Sequence, residues 1–263
     1  MIIDGKAVAR GIIERLKNRP RPEKALVAVL AGNNPQSRSF LRQKEKIAQE
    51  LGVPFRLFEF QETVSEEGLI SEIRNISNDD AIGGIIVQLP LPGKFDRDKA
   101  VAAIDPRKDV DALTPESRKL VDPLPVATVK EILKMLGMDI GSKTVAVAGK
   151  GFLVGKPVLE WLRGDPSVPV IALDSKSNLA EIKKADLVIL GTGKGGLIMS
   201  QMLNPGAIVI DFGYGIKDGK MTGDFDPKEA AARGISYTPV PGGTGPVLVA
   251  KIFENFYTLN VEN

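Results

Sequence analysis

A glycine-rich turn between a predicted strand and a predicted helix is the clearest candidate for ligand chemistry in this sequence. Gly149 and Gly151 follow the apolar run Thr144–Ala148, and a helix is predicted at Val154–Leu162. Glycines let a backbone approach a phosphate closely, and the first turn of a helix offers free N–H groups and a positive dipole end. Because Gly155 comes one residue later than in the usual dinucleotide fingerprint, the segment predicts either a phosphate site or a tight turn that needs positive φ.

The next two predicted strands also end in residues suited to a nucleotide. Asp174 ends the strand predicted at Val168–Leu173, and an acid at this place in a Rossmann unit bonds the ribose 2′-hydroxyl, which favours NAD. Lys150 and Lys176 flank the same place and are able to pair with the 2′-phosphate of NADP. The third strand ends in the turn Gly191–Gly193, at the sheet edge where ligands bind in open parallel sheets. Together these features predict a nucleotide site.

Three polar residues in the first half of the sequence form a second group of candidates. Lys44 lies one helical turn after Phe40 and shares a helix face with it. Gln88 ends an apolar predicted strand, where an amide packs poorly but suits a ligand site. Asp111 follows Asp109 in a predicted loop. Each of the three also fits an ordinary surface lysine, strand-end glutamine or solvated aspartate, and no spacing joins them into one site.

The composition limits the chemistry that these residues can perform. The chain of 263 residues contains no histidine and no cysteine, which excludes Ser-His-Asp and Cys-His catalysis, zinc held by histidine or cysteine, iron–sulfur clusters and disulfides. A general acid or base must therefore be a carboxylate, a lysine, a tyrosine or water. Thirty-five Lys and Arg against 33 Asp and Glu leave a net charge of +2, so we expect neither a nucleic acid nor a membrane surface as a partner.

The start of the sequence and its apolar runs predict a cytoplasmic protein. No apolar run approaches the roughly 18 residues that a membrane span needs. Asp4 also interrupts the place where a secretory signal requires apolar residues.

Apolar patterning predicts two successive α/β series. The first alternates helices and strands, which implies a parallel sheet with right-handed crossovers. Its predicted elements are Gly5–Leu16, Ala25–Leu30, 36–51, Pro54–Phe60, Glu66–Ser77 and Gly84–Gln88. The segment Leu89–Leu124 is rich in Pro and Asp and is predicted to be mostly loop.

The second series begins near Thr128. Its predicted elements are Val129–Leu136, Thr144–Ala148, Val154–Leu162, Val168–Leu173, Leu179–Lys184, Asp186–Leu190, Ala207–Ile210 and Pro246–Tyr257. The predicted fold class is therefore α/β, with two α/β domains, the second a Rossmann-like parallel sheet, and a cleft between them. The Pro-rich stretch near residues 120–125 is the predicted crossing.

Six motifs spread over nearly the whole chain carry a resemblance to a known family. They are Ala31–Lys44, Gly84–Pro92, Pro106–Asp111, Gly149–Pro157, Asp211–Gly215 and Pro239–Pro246. In this order they resemble the motifs of the bifunctional methylenetetrahydrofolate dehydrogenase/cyclohydrolases. The resemblance implies that NADP⁺ accepts a hydride from the methylene bridge of 5,10-methylenetetrahydrofolate. Water then opens the methenyl cation to give 10-formyltetrahydrofolate, a step of one-carbon metabolism.

The resemblance also implies an organisation of the chain. Residues 1–122 together with 246–263 would form the folate-binding catalytic domain, and residues 123–245 the NADP-binding domain. Members of the family are usually homodimers through the nucleotide domain, so a homodimer is expected here.

Residue roles follow from the same resemblance. Lys44 would transfer protons in the hydrolytic step, with its pKa lowered from about 10.4 by burial beside a cationic substrate. Gln88 would orient Lys44, and Asp111 would bind the pterin through charge-assisted hydrogen bonds. The implied folate-binding residues are Phe40, Lys44, Gln88, Asp111, Pro241, Gly242 and Gly243. The implied cofactor-binding residues are Gly149, Lys150, Gly151, Asp174, Ser175, Lys176, Gly191, Thr192, Gly193 and Tyr214, and no residue is assigned to a metal.

Three of the departures from the family's motifs affect residues of the predicted sites. Phe40 stands where the family has a tyrosine, so ring stacking can survive while the hydroxyl near the lysine is lost. Lys150 and Gly151 replace the family's Arg and Ser, and Asp174 introduces an acid near the expected 2′-phosphate, although Lys150 and Lys176 can compensate as point charges. These changes leave open a dehydrogenase with impaired hydrolysis, an enzyme that prefers NAD, and a catalytically silent nucleotide-binding relative.

Overall fold

The computed structural model describes residues 1–217 and 219–261, in two compact units. We name each unit by the number of strands in its main sheet. The three-strand unit contains Gly11–Leu124 and Val249–Asn263, and the five-strand unit contains Met1–Arg10 and Pro125–Leu248.

The N-terminal residues belong to the five-strand unit, which differs from the domain bounds expected from the sequence. Ile3 is buried in the core of that unit, and its N–H donates to the Tyr237 carbonyl at 2.8 Å. Helix α1 (Gly5–Lys17) therefore begins in one unit and ends in the other. The division between the two units falls after Leu124, and the crossing near residues 120–125 stays a prediction from the sequence.

Three parallel strands form the sheet of the three-strand unit. The elements of this unit are β1 (Ala25–Ala31), α2 (Pro35–Leu51), β2 (Phe55–Phe60), α3 (Glu66–Asn78), β3 (Ile82–Val87), α4 (Arg97–Ala102) and most of α7 (Thr244–Asn260). The strand order is β2-β1-β3, and every residue of the central strand β1 is buried, which explains its uninterrupted apolar sequence. On the free edge of β3, the backbone of Asp109 adds a parallel bridge to Ile85.

Helix α2, which carries Lys44, has a defined start and end. The Asn34 side chain caps it by accepting hydrogen bonds from two backbone N–H groups at 2.9 and 3.1 Å. Pro35 occupies the first turn, where a missing N–H costs nothing. Gly52 ends the helix in the left-handed conformation at φ 66°. These signals place Lys44 on the buried face, one turn after Leu41.

The five-strand unit is built on a second parallel sheet. Its elements are α5 (Leu124–Leu136), β4 (Val145–Ala148), α6 (Gly155–Arg163), β5 (Val170–Leu173), β6 (Leu187–Leu190), β7 (Ile198–Met199), β8 (Ile208–Asp211), β9 (Gly215–Lys217), β10 (Lys220–Thr222), β11 (Phe225–Asp226) and β12 (Ser236–Tyr237). The main sheet has the order β12-β8-β6-β4-β5, which is a doubly wound arrangement and confirms the predicted Rossmann-like sheet. Ligands of such sheets bind outside the carboxyl ends of the strands where the order reverses, here between β4 and β6.

Short elements account for most differences from the sequence prediction. The segment Leu89–Leu124 contains α4 and a 3-10 turn at Ser117–Lys119, although it is predicted to be mostly loop. Helix α4 has six residues and starts at a side-chain cap from Asp96, so it is too short to show a helical period. Helix α5 begins at Leu124 rather than at Val129. Strands β7 and β9 to β12 have two or three residues each, too few to show an alternation.

Within the part of the chain that the structure describes, no helix is both long and apolar enough to cross a bilayer.

Candidate active site

Lys44 and Gln88 form a buried pair in the three-strand unit. Gln88 directly follows β3, and its N–H makes the last ladder bond of that strand, to the Val29 carbonyl at 2.9 Å. The Lys44 amine donates to Gln88 Oε1 at 2.9 Å, and each residue is only 7% exposed. The Gln88 amide nitrogen donates in turn to the Leu89 carbonyl at 2.8 Å, so the amide oxygen faces the lysine. The structure therefore joins two residues that no spacing in the sequence connects.

Burial changes the acid–base properties of this site. The loss of water lowers the pKa of Lys44 below its ordinary value of 10.5, while the negative charge of Asp111 opposes the decrease. Burial raises the pKa of Asp111 to about 7; the charge of Lys44 opposes this increase, and that of Asp109 adds to it. Both pKa values thus move from the ordinary values of the free side chains toward neutrality, which is what proton transfer near neutral pH requires.

Asp109 and Asn255 hold the segment that carries Asp111. Asp109 Oδ2 accepts hydrogen bonds from two backbone N–H groups and from the Ser117 hydroxyl, at distances of 2.7 to 3.1 Å. Asn255, on α7, donates from Nδ2 to the Val110 carbonyl at 2.9 Å. Both side chains are buried. Asp111 therefore extends from backbone that is fixed on both sides.

Contact between two strand ends shapes the glycine turn of the five-strand unit. Gly149 has φ 95°, and a Cβ atom on it would lie 2.3 Å from the Gly191 carbonyl oxygen. A Cβ atom on Gly155 would lie 1.8 Å from the Gly149 carbonyl oxygen. By contrast, a Cβ atom on Gly151 or Gly193 would meet nothing within 4 Å. Packing thus requires Gly149 and Gly155 to lack a side chain, whereas Gly151 and Gly193 leave open backbone faces that fit a bound nucleotide.

Lys150 and Asp174 form an ion pair beside this turn. Their Nζ and Oδ2 atoms lie 2.7 Å apart, and both side chains are partly exposed. Asp174 Oδ1 also accepts from the Lys176 N–H at 2.9 Å and from the Ser177 hydroxyl at 3.0 Å. The hydrogen bond from Lys150 is the largest cause that holds the pKa of Asp174 well below its usual range. Because the acid is neutralised and Ser175 and Lys176 are exposed beside it, these residues fit a nucleotide with a 2′-phosphate.

Two buried acids that the sequence analysis did not assign to a site, Asp211 and Asp224, lie next to the turn Gly191–Gly193. Asp224 is fully buried, and its Oδ2 accepts from the N–H groups of Thr192 and Gly193 at 2.5 and 3.2 Å. Asp211 Oδ2 accepts from the Phe225 N–H at 2.9 Å. Burial raises the pKa of Asp211 to about 6, and the charge of Asp224 adds to the increase. The partners of Asp224 are backbone N–H groups 32 and 31 residues away along the chain, which leaves no pattern in the sequence.

The other predicted site residues are placed as follows. Phe40 lies on α2, one turn before Lys44, and is partly buried. Tyr214 precedes β9 and is also partly buried. The predicted substrate-binding residues Pro241, Gly242 and Gly243 lie between β12 and α7 in the five-strand unit. Among the residues that the structure describes, no group of acidic side chains is placed to hold a metal ion.

Comparisons with known proteins match both halves of the chain. Residues 3–111 match the family model for the tetrahydrofolate dehydrogenase/cyclohydrolase catalytic domain, and residues 123–263 match its NAD(P)-binding domain. The bifunctional protein FolD of Exiguobacterium sp. is 35% identical over 268 residues, which cover 97% of this chain and 96% of that protein.

Solved structures show the same similarity. The bifunctional FolD enzyme of Campylobacter jejuni has a TM-score of 0.93 at 30% identity, and the match covers 99% of this chain and 98% of that chain. The FolD of Trypanosoma brucei, complexed with NADP cofactor and an inhibitor, has a TM-score of 0.90 at 30% identity, covering 98% of this chain and 96% of that one.

The fold and the two sites define a class of protein. A doubly wound sheet with glycine turns where the strand order reverses, in a chain that also buries a lysine near an acid, is typical of a nucleotide-dependent enzyme. The chain belongs to the tetrahydrofolate dehydrogenase/cyclohydrolase family. This confirms the resemblance seen in the sequence. Because the curated relatives are bifunctional, the comparisons do not favour a dehydrogenase-only or silent variant.

Proposed function

We propose that this protein oxidises 5,10-methylenetetrahydrofolate to 5,10-methenyltetrahydrofolate with NADP⁺ and hydrolyses that product to 10-formyltetrahydrofolate. The observation that carries the proposal is the buried Lys44–Gln88 pair near Asp111. Family membership supports both reactions, and the NADP complex of the Trypanosoma relative supports the cofactor. We assign folate binding to the three-strand unit and NADP binding to the five-strand unit.

Lys44 transfers the proton in the hydrolytic step. Because burial lowers the pKa of Lys44, its amine gives up its proton more readily than a free lysine does, and the neutral amine can then accept a proton from the water that adds to the methenyl carbon. A cationic substrate disfavours the ammonium form further, so substrate binding and deprotonation support each other. Gln88 fixes the direction of the amine. Asp111 binds the amino-pyrimidine edge of the pterin, and Phe40 offers a ring for stacking.

The oxidation step needs placement rather than acid or base chemistry from the protein. Bound NADP⁺ supplies the hydride acceptor. Gly151 and Gly193 leave open backbone faces for the nucleotide. Lys150 neutralises Asp174, so the acid does not repel a 2′-phosphate, and Lys176 adds a further positive charge.

An assay with purified protein tests the proposal. The protein is incubated with 5,10-methylenetetrahydrofolate and either NADP⁺ or NAD⁺, and the absorbance of the methenyl product is followed. We expect the product to form faster with NADP⁺ and then to decay faster than it does without enzyme. Formation without accelerated decay would limit the function to the dehydrogenase, faster formation with NAD⁺ would overturn the cofactor assignment, and no formation with either would indicate a silent relative.

We also infer a homodimer in the cytoplasm. The resemblance to the family supports the dimer, and a sequence without cysteine suits a reducing compartment. Light scattering of the purified protein would contradict the dimer if it gave the mass of one chain.

A further inference from the structure

The buried carboxylate of Asp224 holds the turn that follows β6. Its Oδ2 accepts hydrogen bonds from the N–H groups of Thr192 and Gly193, at 2.5 and 3.2 Å. Hydrogen bonds to a charged acceptor are roughly twice as strong as those between neutral groups. Since the carboxylate is fully buried, no water competes for these N–H groups. One side chain therefore sets the position of two successive residues in a predicted cofactor-binding turn.

Asp224 is itself fixed by its neighbours. Its carbonyl accepts from the Ile198 N–H at 2.9 Å, and the next residue, Phe225, donates to Asp211 Oδ2 at 2.9 Å. A Cβ atom on Gly213 would lie 2.3 Å from the Asp224 carboxyl carbon. The carboxyl group thus lies directly against the Gly213 backbone, and the absence of a side chain there leaves the room that the acid occupies.

Asp211 links this arrangement to a second predicted site segment. Its N–H donates to the Thr238 hydroxyl oxygen at 2.8 Å, and its carbonyl accepts from the Thr244 hydroxyl at 2.8 Å. These two threonines flank the turn that contains Pro241–Gly243. The end of β8, the start of β11 and two predicted ligand-binding turns therefore form one buried hydrogen-bonded cluster.

The turn held by Asp224 presents a face suited to a ligand. Its N–H groups point to the buried acid, while Gly193 is exposed, has φ 68° and leaves open space where a Cβ atom would be. We propose that Asp224 is a positioning residue for hydride transfer, which acts on the bound cofactor through the Gly191–Gly193 turn. This assignment rests on the function proposed above. A misplacement of about 1 Å at such a contact can cost about a hundredfold in rate.

The variant Asp224→Asn tests the assignment in the full-length protein. It keeps the size of the side chain but removes the charge, and it places an NH₂ group where the structure has only acceptor oxygens. We expect the KM for NADP⁺ to rise and the dehydrogenase kcat to fall, with kcat/KM reduced by about tenfold or more. Hydrolysis of directly supplied 5,10-methenyltetrahydrofolate, which needs no cofactor, should stay unchanged.

Asp226→Asn is the matched control. Asp226 lies two residues further along, on β11, is only partly buried, and its carboxylate interacts with Lys228. We expect both half-reactions of this variant to match those of the unsubstituted protein. Loss of both half-reactions in a folded Asp224→Asn protein, or a lowered melting temperature with unchanged dehydrogenase kinetics, would overturn the assignment and indicate a purely structural acid. Absence of both activities in the unsubstituted protein would instead contradict the proposed function.

Hydrogen exchange keeps the assignment testable even if the variant fails to fold. In the unsubstituted protein, without cofactor, the amides of Thr192 and Gly193 should exchange slowly, because both donate to a buried carboxylate. Rapid exchange at these two amides would overturn the proposal. In a folded Asp224→Asn protein, exchange at both should accelerate.

Discussion

The Lys44 amine and the Gln88 amide oxygen lie 2.9 Å apart in a site that excludes most water. A neutral acceptor gives the amine a fixed direction but stabilises the ammonium less than a carboxylate in contact would. The acid that acts on Lys44, Asp111, only partly offsets the effect of burial on the lysine pKa. The Lys44 nitrogen is therefore fixed in position while its pKa is lowered, and a general base requires both.

Replacing Lys44 should abolish hydrolysis. In Lys44→Met no amine remains to accept the proton, and we expect the decay of supplied 5,10-methenyltetrahydrofolate to slow by at least about a hundredfold, while folate binding stays measurable. Lys44→Arg should be equally slow, because a guanidinium does not deprotonate. Lys46→Met, on the exposed face of the same helix, serves as the control. Unchanged hydrolysis in Lys44→Met would refute the assigned role.

A charged partner at position 88 should shift the pH dependence of hydrolysis. Gln88→Glu places a carboxylate in contact with the Lys44 amine, which raises the lysine pKa and keeps the amine protonated to higher pH. We expect the rise of the pH–rate profile to move by about 1 to 3 pH units toward alkaline pH. Gln61→Glu, at an exposed position, should leave the profile in place. A shift toward acid pH would contradict the account.

Asp111 should make the protein less stable as the pH rises. Its pKa is about 7 in the folded protein, whereas the ordinary value is 3.8, so between these values the folded state binds more protons than the unfolded state. The free energy of unfolding therefore falls as the pH rises through this window. Urea unfolding measured at about pH 5 and at about pH 7 should show that the free energy of unfolding falls more between these pH values in the unsubstituted protein than in Asp111→Asn. An equal fall in both proteins would indicate that the pKa of Asp111 is not raised in the folded state.

The Lys150–Asp174 pair should control the choice between NADP and NAD. Lys150→Ala leaves Asp174 as an uncompensated acid that repels a 2′-phosphate and can accept a hydrogen bond from a ribose 2′-hydroxyl. We expect the ratio of kcat/KM for NADP⁺ over NAD⁺ to fall by roughly tenfold. Lys184→Ala removes a comparable exposed ion pair with Glu181 and should leave the ratio unchanged. An unchanged ratio in Lys150→Ala would exclude the pair from cofactor discrimination.

Asn255 should contribute measurably to stability. Its buried Nδ2 donates to the carbonyls of Val110 and Asp122 at 2.9 and 3.0 Å, and Asn255→Ala leaves both acceptors without this donor. We expect a loss of about 1 to 3 kcal/mol in the free energy of unfolding, measured in urea. Asn18→Ala removes an exposed hydrogen bond from the Asn18 side chain to the Glu14 carbonyl at the end of α1. This change should lower the free energy of unfolding by about 0.5 kcal/mol or less. Equal losses in the two variants would contradict the role of Asn255.

Periodicity and residue type predicted the long elements and named Lys44 and Gln88, but only the resemblance to the family paired these two residues. Strands such as β4 and helices such as α3 carry continuous apolar runs or a helical period, which can be read locally. Lys44 and Gln88 stand 44 residues apart, and only the packing of α2 beside the end of β3 brings them into contact. Asp224 was not singled out because it binds backbone N–H groups, and every residue type except proline offers one.

The backbone contact between Gly149 and Gly191 restricts where a different coenzyme preference can be engineered. A side chain at Gly149 would collide with main-chain atoms of the neighbouring strand end, which cannot rotate away as a flexible side chain would. Neither the turn nor the sheet can therefore be remodelled without disturbing the other. We therefore expect a change of coenzyme preference to be engineered more readily at an exposed side chain beside the turn, such as Lys150 of the Lys150–Asp174 pair, than at Gly149.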